Sequence, residues 1–338
     1  MRAVVLGTGA VGARAARQLL GAPGLDDLRL VDPDDGHVAA LASSLGPPAS
    51  VATWDPSTLA AGDVVVLSMP GPHAGLARAA IERGASVVST ADSIADVRAL
   101  LALDDDARRA GATVAVGAGF APGYTCVLAR HAAAGFDSVD EVHVAKAGTG
   151  GPACARQHHA TLTEEAVDWR DGSWAQRRGG SGRELCWFPD PLGALDCYRA
   201  GLPDALVLVP AFPGVARVTA RVAASRRDRL TARLPMLRQP HPEGLLGAAR
   251  VEVRGRRGAV TDVRVLGALD RPAIAAGAVA ALTAMWALDG LLARTGAAGL
   301  AELITEPVPF LQDLARRGVR AAAFEGTAPS AEAVRPGR

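Results

Sequence analysis

Four apolar residues, Ala3-Val4-Val5-Leu6, run directly into Gly7-Thr8-Gly9-Ala10-Val11-Gly12, and beyond them Val11, Ala15, Ala16, Leu19 and Leu20 recur at helical spacing. A short apolar run closed by glycine predicts a buried strand over 3–6, and the helical period predicts a helix reaching residue 20. The alternation continues. Apolar runs predict strands over 28–31, around 51, and over 64–67, 86–89 and 113–116, with helical patterns over 37–45, 73–83 and 97–110 between them. Strands separated by helix-length segments imply a parallel sheet wound on both faces, with strand order 3-2-1-4-5-6.

The pattern breaks at Gly117-Ala118-Gly119-Phe120-Ala121-Pro122-Gly123, which can continue neither a helix nor a regular strand. A first domain over 1–122 is therefore expected. Past it come a helix over 127–133, a strand over 141–146, a glycine-rich turn at 148–152 and a helix-compatible run over 153–169. Extended stretches follow at 183–188 and 216–223. The runs 249–254 and 260–266 then alternate about Arg256-Arg257-Gly258 as a hairpin. Strands of period two joined by hairpins predict an α+β domain of mostly antiparallel strands over 123–268. Residues 271–292 form a helical pattern that is apolar nearly all round, so this helix should be buried and pack back on the first domain. With a further helix over 307–318 it makes a C-terminal unit over 269–325. The tail 326–338, rich in Ala, Pro, Ser and Glu, is expected to be disordered.

The glycine motif carries chemistry. Gly7 allows the tight turn out of the strand, Gly9 lets backbone N–H groups approach a pyrophosphate, and Gly12 lets the helix pack close to the strand. Thr8, Ala10 and Val11 complete the loop. Asp32 ends the second strand twenty residues beyond Gly12, where a carboxylate accepts hydrogen bonds from ribose hydroxyls and repels a 2′-phosphate. Pro33, Asp34 and Asp35 follow it, and no arginine does. A Rossmann domain that binds NAD rather than NADP is the expectation. In such a sheet the ligand lies beyond the carboxyl ends of the strands, so Ser68, Met69 and Pro70 after the fourth strand and Thr90 and Ala91 after the fifth should border the nicotinamide half. His73 reads as a helix cap or first-turn residue, with donation to substrate or cofactor as the alternative.

Composition narrows the partners. The 338 residues, 49% of them hydrophobic, suffice for two cores, and a net charge of +1 spread along the chain gives no reason to expect nucleic acid. No apolar run is long enough to span a bilayer and the chain starts at a strand, so no membrane partner and a soluble, cytoplasmic protein are expected. All but one of the 36 basic residues are arginine. The exception, Lys146, supplies an ammonium whose pKa can shift, which arginine cannot. Cys126, Cys154, Cys186 and Cys197 lack zinc-ligand spacing, so no metal is expected.

The chain resembles the saccharopine dehydrogenase-like family of reductases, which includes lysine 6-dehydrogenases. The resemblance rests on Gly7–Gly12, the run 73–90 with Ile81-Glu82-Arg83-Gly84, and Arg109-Ala110-Gly111-Ala112-Thr113 leading into the Gly117–Gly123 junction. It implies a nicotinamide cofactor, a small-molecule substrate, hydride transfer at a carbon bound to nitrogen, a C-terminal helix that returns to the first domain, and often a homodimer. Such chemistry needs a proton donor and a carboxylate anchor. Lys146, at a strand end, and one of His158 and His159 are the candidate acid and base. Arg156, Arg183 and Arg199 are the candidate anchors, and Tyr124 lies in the junction at the cleft. Glu184 and Tyr198 read as a salt bridge and a core phenol, Trp187 and Phe188 as core. The alternative, a sugar or aldehyde oxidoreductase of the glucose–fructose oxidoreductase type, would resemble Glu-Lys-Pro where Ser89-Thr90-Ala91-Asp92 stands. A non-catalytic NAD(H)-binding regulator would carry an effector module, and none is visible.

Overall fold

A computed structural model describes residues 1–234, 236 and 239–324; the expected disordered tail lies outside the described residues. The first half alternates strand and helix, save that β3 leads to β4 through a short 3-10 turn and two helices precede β6: β1 (Arg2–Leu6), α1 (Ala10–Leu19), β2 (Asp27–Val31), α2 (Asp35–Leu45), β3 (Ala49–Val51), β4 (Val64–Leu67), α3 (Ala74–Ile81), β5 (Ser86–Ser89), α4 (Ile94–Leu101), α5 (Asp104–Arg109) and β6 (Thr113–Val116). The expected single helix over 97–110 is thus two, broken at Ala102-Leu103. All four residues of β4 are fully buried. Helices cover both faces of the sheet, so strands with no polar side are the ones that fit.

The second half holds α6 (Tyr124–Ala133), β7 (Ser138–Ala147), α7 (Pro152–Thr161), β8 (Ala166–Arg170), β9 (Ser173–Arg177), β10 (Glu184–Trp187), β11 (Ala194–Tyr198), α8 (Asp204–Leu208), β12 (Arg217–Ala223), α9 (Arg226–Thr231), β13 (Gly247–Arg257) and β14 (Val260–Asp270). The chain closes with α10 (Pro272–Leu288), β15 (Gly296–Gly299), α11 (Leu300–Leu303), α12 (Pro307–Arg316) and β16 (Ala321–Ala323).

Two sheets result. The first is entirely parallel, in the order β15-β6-β5-β4-β1-β2-β3. This is the doubly wound order with a seventh strand added at the β6 edge. That strand, Gly296-Ala297-Ala298-Gly299, carries none of the branched residues that mark a strand, and the sequence pattern gave no hint of it. Its place requires small residues, because a Cβ on Gly299 would come within 2.5 Å of the Val207 side chain. Asp104 pins it by accepting from Ala297 N–H at 2.8 Å and from Arg294 at 2.9 Å.

The second sheet runs β10-β11-β12-β7-β13-β14-β16, with the β8–β9 hairpin attached to β12. Only β12 and β7 pair in parallel. The helix-compatible run over 153–169 ends early. The Thr161 and Thr163 hydroxyls donate to the His158 and Ala160 carbonyls at 2.8 and 2.9 Å, and the chain turns into β8, where Trp169 packs edge-on against Trp174. Phe188 is core, whereas Trp187 on the edge strand β10 is 62% exposed. Helix α10 packs along α1 and over β4 and β5, which joins the chain's two ends. A Cβ on Gly277 would fall 2.7 Å from the Val11 carbonyl, so glycine sets the closeness of that crossing. Among the described residues no helix is long and apolar enough to cross a membrane.

Candidate functional site

Gly7 leaves β1 at φ +87°, a conformation L-residues rarely adopt, and a Cβ there would meet the Met69 backbone nitrogen at 2.5 Å. A Cβ on Gly12 would lie 1.8 Å from the Gly7 carbonyl oxygen. Gly9 differs, since a Cβ there would meet nothing within 4 Å. The loop is therefore packed from below and open above. No side chain caps the N-terminus of α1, and its first turn contains no acid, so its leading N–H groups face that space. The residues present fit a dinucleotide's pyrophosphate on this observation.

Asp32 is tied to the same loop. Its Oδ2 accepts from Thr8 N–H at 2.5 Å and from the Thr8 hydroxyl at 2.9 Å, and its Oδ1 accepts from Asp34 N–H at 3.0 Å. Partial burial works to raise its pKa. The donated hydrogen bonds and nearby His37 outweigh burial and hold Asp32 below the usual carboxylate range. His37 donates from Nε2 to the Thr8 carbonyl at 2.8 Å, a contact the sequence did not suggest. Oδ1 keeps an acceptor position for a ribose hydroxyl.

The other loop residues mostly hold the loop in place. Ser68 donates to the Gly7 carbonyl at 2.8 Å, Thr90 donates to the Leu67 carbonyl at 3.1 Å, and Ala91 is buried. Pro70 is exposed. His73 is the N-cap of α3 and almost fully buried; its Nε2 donates to the Met69 carbonyl at 2.8 Å and its Nδ1 accepts from the Ser89 hydroxyl at 2.8 Å. It is a bracket for the loop after β4.

Across the cleft, the turn between β7 and α7 approaches the glycine loop, for a Cβ on Gly151 would lie 3.3 Å from the Ala10 Cβ. Lys146, near the end of β7, is 8% exposed, and its Nζ donates to the Ala121 carbonyl of the junction at 3.2 Å. The Lys146 charge acts on Asp92, Cys154, His158 and Asp204, so these groups share one electrostatic neighbourhood. Burial raises the pKa of Asp92 and of Asp204, with Lys146 opposing it in both. Asp204, at the start of α8, is fully buried; its Oδ1 accepts from Thr125 at 3.4 Å, and its Oδ2 has no partner among the described residues. His158 is pushed down to about 3, first by burial and then by the Lys146 charge, so its ring is neutral near pH 7.

The structure thus brings Lys146 and His158 together and adds Asp92 and Asp204. It turns His159 away, with Nε2 donating to the Thr231 and Leu234 carbonyls at 3.0 and 3.3 Å. Arg156 is exposed, Arg183 pairs with Asp196 at 2.9 Å, and Arg199 pairs with Asp168 at 3.1 Å. Glu184 pairs with Arg221 at 2.5 Å, and Tyr198 is a core phenol. Tyr124 is fully buried, its hydroxyl has no partner among the described residues, and burial raises its pKa.

Among solved structures, the chain is similar to saccharopine dehydrogenase (L-Glu forming) from Saccharomyces cerevisiae. The TM-score is 0.69 and the identity 14%, with 96% of this chain and 100% of that chain covered. It is also similar to the DAP dehydrogenase of C. glutamicum in complex with DAP, with a TM-score of 0.50, 14% identity, and 90% and 93% of the two chains covered. No protein-family model and no curated protein sequence matches the chain. The fold is that of saccharopine dehydrogenase, a Rossmann sheet carrying a second domain.

Proposed function

We propose that this chain is an NAD-dependent oxidoreductase that moves a hydride at a carbon–nitrogen centre of an amino-acid-like or imine substrate. The observation that carries the reading is Lys146, a nearly buried ammonium with three donors, beside the carboxyl groups of Asp92 and Asp204 and across from the open glycine loop. A buried cation with one hydrogen bond in a cleft of titratable groups has the character of a reacting site.

Gly7–Gly12 and the N-terminus of α1 would hold the pyrophosphate, and Asp32 the adenosine ribose. A bound nicotinamide supplies or accepts the hydride. Lys146 protonates the nitrogen or oxygen on which negative charge develops, or removes that proton in the opposite direction. The Ala121 carbonyl holds the ammonium in place, and the nearby charges of Asp92 and Asp204, where ionised, favour it. Neutral His158 borders the substrate and donates or accepts a hydrogen bond without adding charge. The solved relatives named for saccharopine and DAP support the C–N reading.

Titration with NADH and with NADPH tests the cofactor. NADH at about a hundred times its Kd should stabilise the fold by about 2.7 kcal/mol, with NADPH giving less at equal concentration. If NADH leaves both protein fluorescence and melting temperature unchanged, the assignment is wrong. A panel of amines and imines followed by NADH absorbance then identifies the substrate.

A further inference from the structure

At the far end of α7 from the cleft, a pocket of about 490 Å³ opens between that helix end, the turn at Gly179-Gly180 and α9. Its charged lining is arginine alone: Arg178 beyond β9, and Arg226, Arg229 and Arg233 on and just after α9. A spacing of three puts Arg226 and Arg229 on one side of the helix, where like charges repel, and Arg233 lines the pocket from the turn just past it. The one acid of α9 does not relieve them. Asp228 turns back to the helix start and accepts from Ser225 N–H at 2.8 Å and from the Ser225 hydroxyl at 2.7 Å.

Elsewhere in this domain Arg183, Arg199 and Arg221 each hold a carboxylate. Among the described residues none lies within 4.0 Å of a nitrogen of Arg178, Arg226 or Arg233. Arg229 is already fixed, its Nε donating to the Gly180 carbonyl at 3.0 Å and its guanidinium 4.2 Å from the centre of the Tyr198 ring. The pocket has the size of a small-ligand site, and guanidinium forks match phosphate and carboxylate oxygens in pairs.

We propose that this pocket binds a small polyanion, a molecule bearing two or more phosphate or carboxylate groups, at a site separate from the cleft. The ten residues of α7 put about 15 Å between the pocket and the Gly150-Gly151 turn that faces the glycine loop, while His158 lies one helical turn from the pocket-lining Leu162. His159 connects pocket and cleft by bonding to backbone carbonyls at Thr231 and Leu234 on the pocket side, one residue from His158 on the cleft side.

The test is calorimetric titration with inorganic pyrophosphate at low ionic strength, in saturating NADH so that the glycine loop is not a competing anion site. One saturable site is expected, weakened at least tenfold in the Arg226→Gln/Arg233→Gln double variant and unchanged in Arg316→Gln on distant α12. Citrate in place of pyrophosphate ranks carboxylate against phosphate as the natural source of charge. The proposal is overturned if neither probe binds saturably, if NADH abolishes binding, or if the double variant binds as tightly as the parent. Should NADH itself fail to bind, the cleft assignment falls, and the comparison of variants without NADH still decides the pocket.

Discussion

Lys146 is the residue on which the proposed chemistry turns, and its replacement separates roles. Lys146→Met should lower kcat about a hundred- to ten-thousand-fold while NADH affinity stays within a factor of two. Lys146→Arg should be nearly as inactive, because a guanidinium keeps its proton. A Lys146→Met enzyme of ordinary kcat would sink the assignment. His158 gives a separate prediction in pH. Its folded pKa, about 3, lies below the ordinary value, so its contribution to stability is present above about pH 6.5 and is lost as pH falls toward 3. Denaturant unfolding should show the parent losing about 2 kcal/mol more than His158→Gln between pH 6.5 and pH 5. Asp204 has the opposite sign. Its raised pKa favours the folded state at low pH and is lost as pH rises above the usual carboxylate range, so Asp204→Asn should flatten that decline.

Among elements, α1 and its loop show what glycine does at each position. Gly12→Ala should destabilise the fold by about 3 kcal/mol or more, because its Cβ would fall on the Gly7 carbonyl. Gly9→Ala should keep stability within about 1 kcal/mol yet weaken NADH strongly, since the space its methyl enters is the one a pyrophosphate needs. Melting curves with and without NADH check both. This motif was legible in the sequence because each of its residues obeys a local rule. Most strands of the first sheet were legible for the same reason, as short runs rich in apolar residues. The Gly296–Gly299 strand was not, because its fitness comes from what surrounds it, Val207 on one side and Asp104 on the other. Asp204 was hidden similarly. In Leu202-Pro203-Asp204-Ala205-Leu206 it reads as an acid opening a helix, and only the fold buries it where the Lys146 charge acts on it. Arg183 and Arg199 failed in reverse: their side chains suit a carboxylate, and the protein itself supplies one to each.

At the scale of the molecule, the two domains are bound through the returning C-terminal elements. Helix α10 lies along α1, and Trp286 on it meets Phe310 of α12 edge-on, with ring centres 5.1 Å apart. Phe310 is fully buried. Phe310→Ala should cost about 3–5 kcal/mol, and calorimetry should register that loss in one transition shared by both domains. Two separated transitions, only one of them moved, would contradict this coupling.

The edge strand drawn from near the chain's end also governs how the protein is born. The last residue of the neighbouring β6, Val116, leaves the ribosome about 180 residues before the strand begins at Gly296, and at about 5–20 residues per second that interval is about 10–40 s. Throughout it the nascent first domain presents a bare, apolar β6 margin, the kind of unpaired edge that neighbouring chains on a polysome can seize.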